Sequence, residues 1–143
     1  MLAALVLNRR LLYLHNVKSS QSQSAQLEQR LIDFAVRIVR LSANLPSSFA
    51  GAHFGKQILR SGSAPALLYG EARAAESDKD FRHKCSLALK ELRETHINLK
   101  IIQQSELYAA DRLAALLDEN NQLISIFVRT VRTMDDRINQ TKN

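Results

Sequence analysis

The chain of 143 residues is poor in turn-forming and aromatic residues, with four glycines, two prolines and no tryptophan. So few turn formers leave little room for the many tight turns of an all-β protein. The single cysteine, Cys85, excludes an internal disulfide. Because it lies within an apolar pattern, we expect a buried, reduced thiol in a cytoplasmic protein.

Motifs of the common catalytic and cofactor sites are also missing. Di-metal sites in helical bundles need paired Glu-x-x-His motifs, and the nearest match, Asp80 with His83, is unpaired. The histidines and the cysteine lack zinc-ligand spacing, and neither a Gly-rich phosphate loop nor a Gly-x-Ser-x-Gly elbow occurs. Glu71, Glu91 and Glu94 are the best carboxylates for a concealed site, but solvated faces or interface salt bridges explain them better. The sequence predicts no enzyme, no cofactor and no metal.

Positive charge is in excess, with a formal net charge of +6 and a pI of about 9.8. This balance favours anionic partners but does not identify one. The first seven residues are apolar, which is far too short a run to cross a bilayer, so we expect no membrane partner. We interpret residues 1–24 as a loosely ordered N-terminal extension, with a short amphipathic membrane anchor as the alternative.

Apolar residues then recur at helical spacing in four segments, about 25–44, 48–75, 77–104 and 109–134. Ser48 and Ser77 are the expected N-caps of the second and third helices. This pattern predicts an all-α fold, an antiparallel up-down four-helix bundle over residues 25–138, followed by a mobile tail over 139–143.

The second helix has an unusual middle, Ser-Gly-Ser-Ala-Pro-Ala at residues 61–66. Glycine and proline are poor helix formers, so a kink is expected there. The small side chains predict close approach of another helix, and a bend that shapes a surface groove is the alternative. The residues expected to face inward on this helix are Phe54, Ile58, Leu68 and Ala72.

The third helix carries two sets of residues on the side away from its predicted core stripe. The first is a basic row, which consists of Lys79, Arg82, Lys90, Arg93 and Lys100. The second is apolar and consists of Leu87, Ile97 and Ile101. Because a helix that is apolar on two faces is usually packed on two sides, this second set predicts self-association.

Residues 56–95 also resemble a known family. The residues that carry the resemblance are Arg60-Ser61-Gly62-Ser63, Glu71-Ala72, Asp80-Phe81, His83-Lys84, Ser86-Leu87-Ala88-Leu89-Lys90-Glu91 and Glu94-Thr95. They resemble the small four-helix bundle proteins found as reading frames within intervening sequences of bacterial large-subunit ribosomal RNA genes, and the resemblance begins near Gln26. Family members usually carry an asparagine where this chain has Leu68, so no role of that asparagine carries over.

The resemblance has implications for assembly and partners. Related bundles form ring-like homopentamers, so it implies a homo-oligomer, a pentamer, of this chain. The related accessory variability determinants of diversity-generating retroelements bind nucleic acid and a reverse transcriptase. The resemblance thus implies RNA or DNA, and a reverse transcriptase, as partners.

Two hypotheses for function follow. The first is a non-catalytic, homo-oligomeric bundle that binds nucleic acid through phosphate contacts of the basic row. None of the eight aromatic residues falls within that row, which argues against a platform for base stacking. The row could instead be a solubilising face, or pair with acids such as Glu94 and Asp78 across subunits. The second hypothesis is a protein-interaction scaffold without a nucleic-acid role.

Overall fold

The chain is built from four α-helices. The computed structural model describes the backbone of residues 2–142 and the side chains of residues 23–142. The helices are α1 (Leu2–Asn44), α2 (Phe49–Arg73), α3 (Asp78–Gln104) and α4 (Ala110–Gln140), and no strand occurs in the described backbone. The predicted all-α class is confirmed. Internal contacts divide the chain into two units, Met1–Arg30, which holds the first part of α1, and Leu31–Asn143.

The first and last helices are longer than the sequence pattern predicts. α1 begins at Leu2 instead of near residue 25, and α4 continues to Gln140 instead of ending near Met134. The residues after Met134 are mostly polar, so an apolar stripe does not mark the end of α4. Residue 1, residue 143 and the side chains of residues 1–22 lie outside the described residues, and the order of the extension and of the tail stays a prediction.

Two serines cap their helices as predicted. The N–H of Gly51 donates to Ser48 Oγ, and the N–H of Asp80 donates to Ser77 Oγ, each over 3.1 Å. These bonds satisfy backbone donors that the first helical turn leaves without partners. By contrast, α4 begins after Ala109, which cannot supply a side-chain cap.

Consecutive helices of the second unit run antiparallel. Between α2 and α3, Arg60 pairs with Glu94 while Glu71 pairs with Lys84, so residue numbers rise in one helix as they fall in the other. The same order holds for the other neighbours, with Ile38 beside Gly62 and Ser42 beside Gly55 for α1 and α2, and Asp78 with Arg137 and Leu92 with Asn120 for α3 and α4. The second unit therefore has the up-down order of a four-helix bundle.

The core of this unit is formed by large apolar side chains from all four helices. The largest fully buried ones are Phe34, Phe127, Leu31, Ile38, Ile58, Leu92, Leu99, Ile102, Leu113 and Leu123. Tyr69 of α2 packs edge-on against Phe127 of α4, with ring centroids 5.8 Å apart. Such pairs add a modest stabilisation beyond the area they bury.

The inward face of α2 differs in part from the prediction. Ile58 and Ala72 are buried as expected, but Phe54 and Leu68 are only half-buried. The positions that are buried instead are Gly51, Gly55, Ser61, Gly62, Pro65 and Tyr69. Most of these are small, and at Gly55 and Gly62 the neighbouring α1 comes close.

α1 lies close against α2 at Gly62. A Cβ atom at this position would lie 2.7 Å from Cγ1 and 2.8 Å from Cγ2 of Ile38, which is closer than carbon atoms can pack. The close approach predicted for residues 61–66 is therefore present at Gly62. α2 is continuous through Pro65, and the predicted kink stays a prediction.

Candidate nucleic-acid interface

Four of the five basic-row residues project freely from α3. Lys79, Lys90, Arg93 and Lys100 are exposed, and none of them forms an ion pair with a described side chain. Their positive charge is therefore not neutralised within the described part of the chain. A row of unpaired cations along one helix has the chemistry to contact the phosphates of an extended anion.

Arg82, the fifth member of the row, is engaged by α4. Its Nε donates to Asp135 Oδ1 over 2.8 Å, and its Nη2 donates to Asp135 Oδ2 over 3.2 Å. This two-pronged contact raises the pKa of Arg82, chiefly through the hydrogen bonds. A phosphate at Arg82 has to compete with Asp135, which sets this residue apart from the other four.

The acids near the row have other partners in the same chain. Arg60 of α2 pairs with both Glu91 and Glu94, and Arg137 of α4 pairs with Asp78 over 2.9 Å. Glu94 and Asp78 are the acids that the sequence offers as partners of the row across subunits. Their engagement by Arg60 and Arg137 leaves the row more available to an external anion.

The apolar set on α3 is partly exposed. Ile97 is 57% exposed and Ile101 is 38% exposed, whereas Leu87 is half-buried. Two isoleucines one turn apart thus face away from the bundle core. Their role in an oligomer interface stays a prediction.

A second exposed apolar face lies on α1, where the sequence pattern did not lead us to expect one. Ile32, Val36 and Val39 are each more than two-fifths exposed, at spacings of four and three residues that place them on one side of the helix. Leu59 of α2 is also exposed. It borders a groove formed with the end of α1. The spacing of Ile32, Val36 and Val39 is visible in the sequence. It was overlooked because the stripe of Leu31, Phe34 and Ile38, which is buried, runs along the same helix.

Cys85 lies in the core of the second unit, away from solvent. Cys85 is fully buried, and burial raises the pKa of its thiol to about 11. This is the inert, buried thiol that the sequence predicts. Among residues 23–142, no group of three or more His, Cys, Asp and Glu side chains is placed to hold a metal ion. No helix in the described residues is long and apolar enough to span a membrane.

Comparison with known proteins identifies the family. The profile of the 23S rRNA-intervening sequence proteins matches residues 23–129. The chain belongs to this family. The matched region begins within a few residues of the point where the sequence resemblance starts, and it covers α2, α3 and most of α4. A comparison with curated proteins finds no match.

A solved structure supports both the family and the fold. It is a protein of unknown function from the S23 ribosomal protein family of Bacteroides thetaiotaomicron, 29% identical in sequence with a TM-score of 0.69. The similarity covers 73% of this chain and 96% of the other. A relation of this intervening-sequence protein to the retroelement accessory proteins stays a prediction.

Proposed function

We propose that this intervening-sequence protein is a non-catalytic, homo-oligomeric bundle that binds nucleic acid through phosphate contacts. The observation that carries the proposal is the exposed row of Lys79, Lys90, Arg93 and Lys100, whose charges have no partner among the described side chains. Arg82 extends the row where a phosphate displaces Asp135.

The chemistry of the row predicts how the complex behaves. Lysine and arginine recognise phosphates by charge and hydrogen bonds, without reading bases, so binding is tolerant of sequence. Four phosphate contacts per chain correspond to a slope of about −3 in a plot of log affinity against log salt for a single strand. The row holds no aromatic residue, so base stacking contributes little.

RNA is the first ligand to test. The family takes its name from intervening sequences of 23S rRNA, and the similar Bacteroides protein is a member of a family named for a ribosomal protein. Neither name states what those proteins bind. A reverse transcriptase as partner rests on the sequence resemblance alone and is tested separately, by co-purification.

The two exposed apolar faces support the proposed self-association. α1 contacts α2 at Gly55 and Gly62 and shares a cleft with α4, while α3 pairs with α2 and α4, so α1 and α3 lie diagonally across the bundle. The outer faces of diagonal helices point in opposite directions. A contact between the α1 face of one copy and the α3 face of the next is head-to-tail, and such contacts generate rings when the rotation closes.

The experiment is fluorescence polarisation of labelled single-stranded RNA and duplex DNA of mixed sequence, at low and near-physiological salt. The test variant combines Lys90→Glu, Arg93→Glu and Lys100→Glu, and the control combines Lys56→Glu, Arg129→Glu and Arg132→Glu. Each variant replaces three positive charges with negative ones, which lowers the formal charge from +6 to zero.

We expect the wild-type affinity to fall log-linearly with salt and the row variant to lose at least about a hundredfold, because three phosphate contacts become repulsive. The control should lose much less. Equal losses in the two variants would mean that net charge, and not the row, is responsible. No binding by the wild type at low salt would overturn the proposal.

The alternative function is a protein-interaction scaffold. Ile32, Val36 and Val39 on α1 favour it, because exposed apolar side chains that share one face are typical of protein contacts. Under this alternative, capture of a partner protein depends on these residues and is unaffected by the row variant.

A further inference from the structure

A small cleft lies between the last turns of α1 and the beginning of α4, apart from the basic row. Arg37 and Arg40 of α1 line one side, and Tyr108 and Arg112 line the other. Leu113 contributes to its apolar floor, and the cavity volume is about 190 Å³. All of these residues belong to the second unit of the chain.

Three arginines line this cleft, and no carboxylate residue is among its lining residues. None of Arg37, Arg40 and Arg112 forms an ion pair with a described side chain. The Arg112 guanidinium lies over the Tyr108 ring, 6.0 Å from its centroid, which holds that arginine in place. Like charges held together repel one another, so the cleft is stabilised when an anion enters it.

The start of α4 adds to this preference for an anion. Tyr108 and Leu113 of the lining flank the first turn of α4, which has no side-chain cap. The positive end of the helix dipole favours negative charge at this end of α4, where the first turn itself contains one acidic residue, Asp111.

The size of the cleft narrows the class of ligand. A volume of about 190 Å³ is several times the roughly 30 Å³ that a water molecule occupies in the liquid. It is less than the roughly 300 Å³ at which sites for whole small molecules begin. A phosphate group fits, with the rest of the ligand outside. Three positive charges match a phosphomonoester, which carries about −1.5 to −2 charges at pH 7, better than a singly charged phosphodiester.

We propose that the cleft binds the phosphomonoester dianion at the end of a nucleic-acid strand, held by the guanidinium groups of Arg37, Arg40 and Arg112. One planar guanidinium group can donate two parallel hydrogen bonds to the oxygens of a phosphate. Three such groups give the cleft a selectivity for a terminal phosphate that the row lacks. The assignment of the phosphate to a nucleic-acid strand rests on the proposed function. The binding of an anion in the cleft does not.

The experiment compares one 12-nucleotide RNA with and without a 5′-phosphate, by fluorescence polarisation at constant ionic strength. We expect the wild type to bind the phosphorylated strand about tenfold more tightly, and Arg37→Ala with Arg112→Ala to abolish that ratio. Arg132→Ala, which removes a charge elsewhere on α4, and the row variant should keep the ratio. Arg112→Lys preserves the charge but not the paired donors, so a reduced ratio in this milder variant supports the cleft even if the double variant does not fold.

Two further arms distinguish the sources of phosphate and separate this inference from the proposed function. Competition by a nucleoside 5′-monophosphate or inorganic phosphate at concentrations equal to the strand would identify a free phosphate as the ligand and overturn the strand-end assignment. If the wild type binds no RNA, calorimetry with inorganic phosphate tests the cleft alone. Binding that is lost in the double variant supports the cleft, and no binding by the wild type overturns it.

Discussion

Because of Cys85, the stability of the bundle decreases at alkaline pH. Its buried thiol has a pKa of about 11, against an ordinary value of 9.0. Between these values the unfolded chain releases the thiol proton while the folded chain retains it. The free energy of unfolding therefore falls as pH rises from 9 to 11, by a total of roughly 2–3 kcal/mol from this group.

Urea denaturation at pH 8 and pH 10.5 measures this effect. Cys85→Ala serves as the reference because it removes the thiol and keeps every other titratable group. The wild type should lose about 2 kcal/mol more than the variant between the two pH values. Equal losses would show that the thiol is accessible to water in the folded state.

At Gly62 the spacing between α1 and α2 leaves no room for a side chain. A methyl group there would lie less than 3 Å from the branched carbons of Ile38, which is fully buried and cannot rotate away. We expect Gly62→Ala to lower the free energy of unfolding by about 1–3 kcal/mol, although alanine is the better helix former.

Gly55→Ala is the matched control on the same face of α2. Its methyl group would lie 3.6 Å from the Ser42 carbonyl oxygen and 3.8 Å from Leu45 Cδ1, which are ordinary contacts. This variant should be as stable as the wild type or more stable by up to about 1 kcal/mol. Thermal unfolding of the two variants side by side checks both values, and equal stability would contradict the close approach at Gly62.

At the scale of the helix, Asn120 fixes α4 against α3 through a polar contact in the core. Its Nδ2 donates to the Leu92 carbonyl over 3.0 Å, and its Oδ1 is buried without a partner in the described residues. Asn120→Asp is nearly isosteric but places an acceptor against that carbonyl. We expect a loss of more than about 2 kcal/mol at pH 7, because the buried carboxylate has no donor.

The pH dependence of this loss identifies its cause. The carboxyl group can donate to the Leu92 carbonyl once it is protonated, so the deficit relative to wild type should shrink as pH falls towards 4. Asn121→Asp makes the same change at the exposed neighbouring position and should have little effect at either pH. A deficit that is independent of pH would point to lost packing instead of buried charge.

The helices differ in how well their contacts could be predicted from sequence. α3 was predicted accurately because Ser77 caps its start and its apolar positions keep a regular spacing. The inward face of α2 was less clear, since Gly62 and Ser61 have no hydropathy that marks them as buried. On α1, the regular stripe that includes Leu31, Phe34 and Ile38 is the side that meets the core, whereas the second apolar side was not predicted.

Contacts between helices could not be predicted from the periodicity of apolar residues. Arg82 and Asp135 are 53 residues apart, and the cleft joins Arg37 to Arg112. The spacing of residues within one helix fixes directions around that helix but not which residue of another helix lies opposite. The basic row could therefore be predicted as a row, whereas the engagement of Arg82 and the convergence of three arginines required the fold.

At the scale of the whole molecule, the proposed assembly depends on which apolar face of one copy meets which face of the next. If each face met its own equivalent, contacts would be symmetric and a chain with one damaged face would still form dimers through the other. If the α1 face meets the α3 face, every contact needs one intact face of each kind. A pair of complementary variants distinguishes the two arrangements.

The first variant combines Ile32→Glu with Val36→Glu, and the second combines Ile97→Glu with Ile101→Glu. We expect the wild type to elute as one closed oligomer in size-exclusion chromatography with light scattering, and each variant alone to be a folded monomer. Mixed in equal amounts, the variants should form a dimer, because the first supplies an intact α3 face and the second an intact α1 face. The oligomer does not grow beyond a dimer, since both remaining faces carry glutamates.

Asn121→Glu with Ser125→Glu, on the exposed side of α4, should leave the wild-type size unchanged. Dimers of either variant alone would replace the head-to-tail contact with a symmetric one.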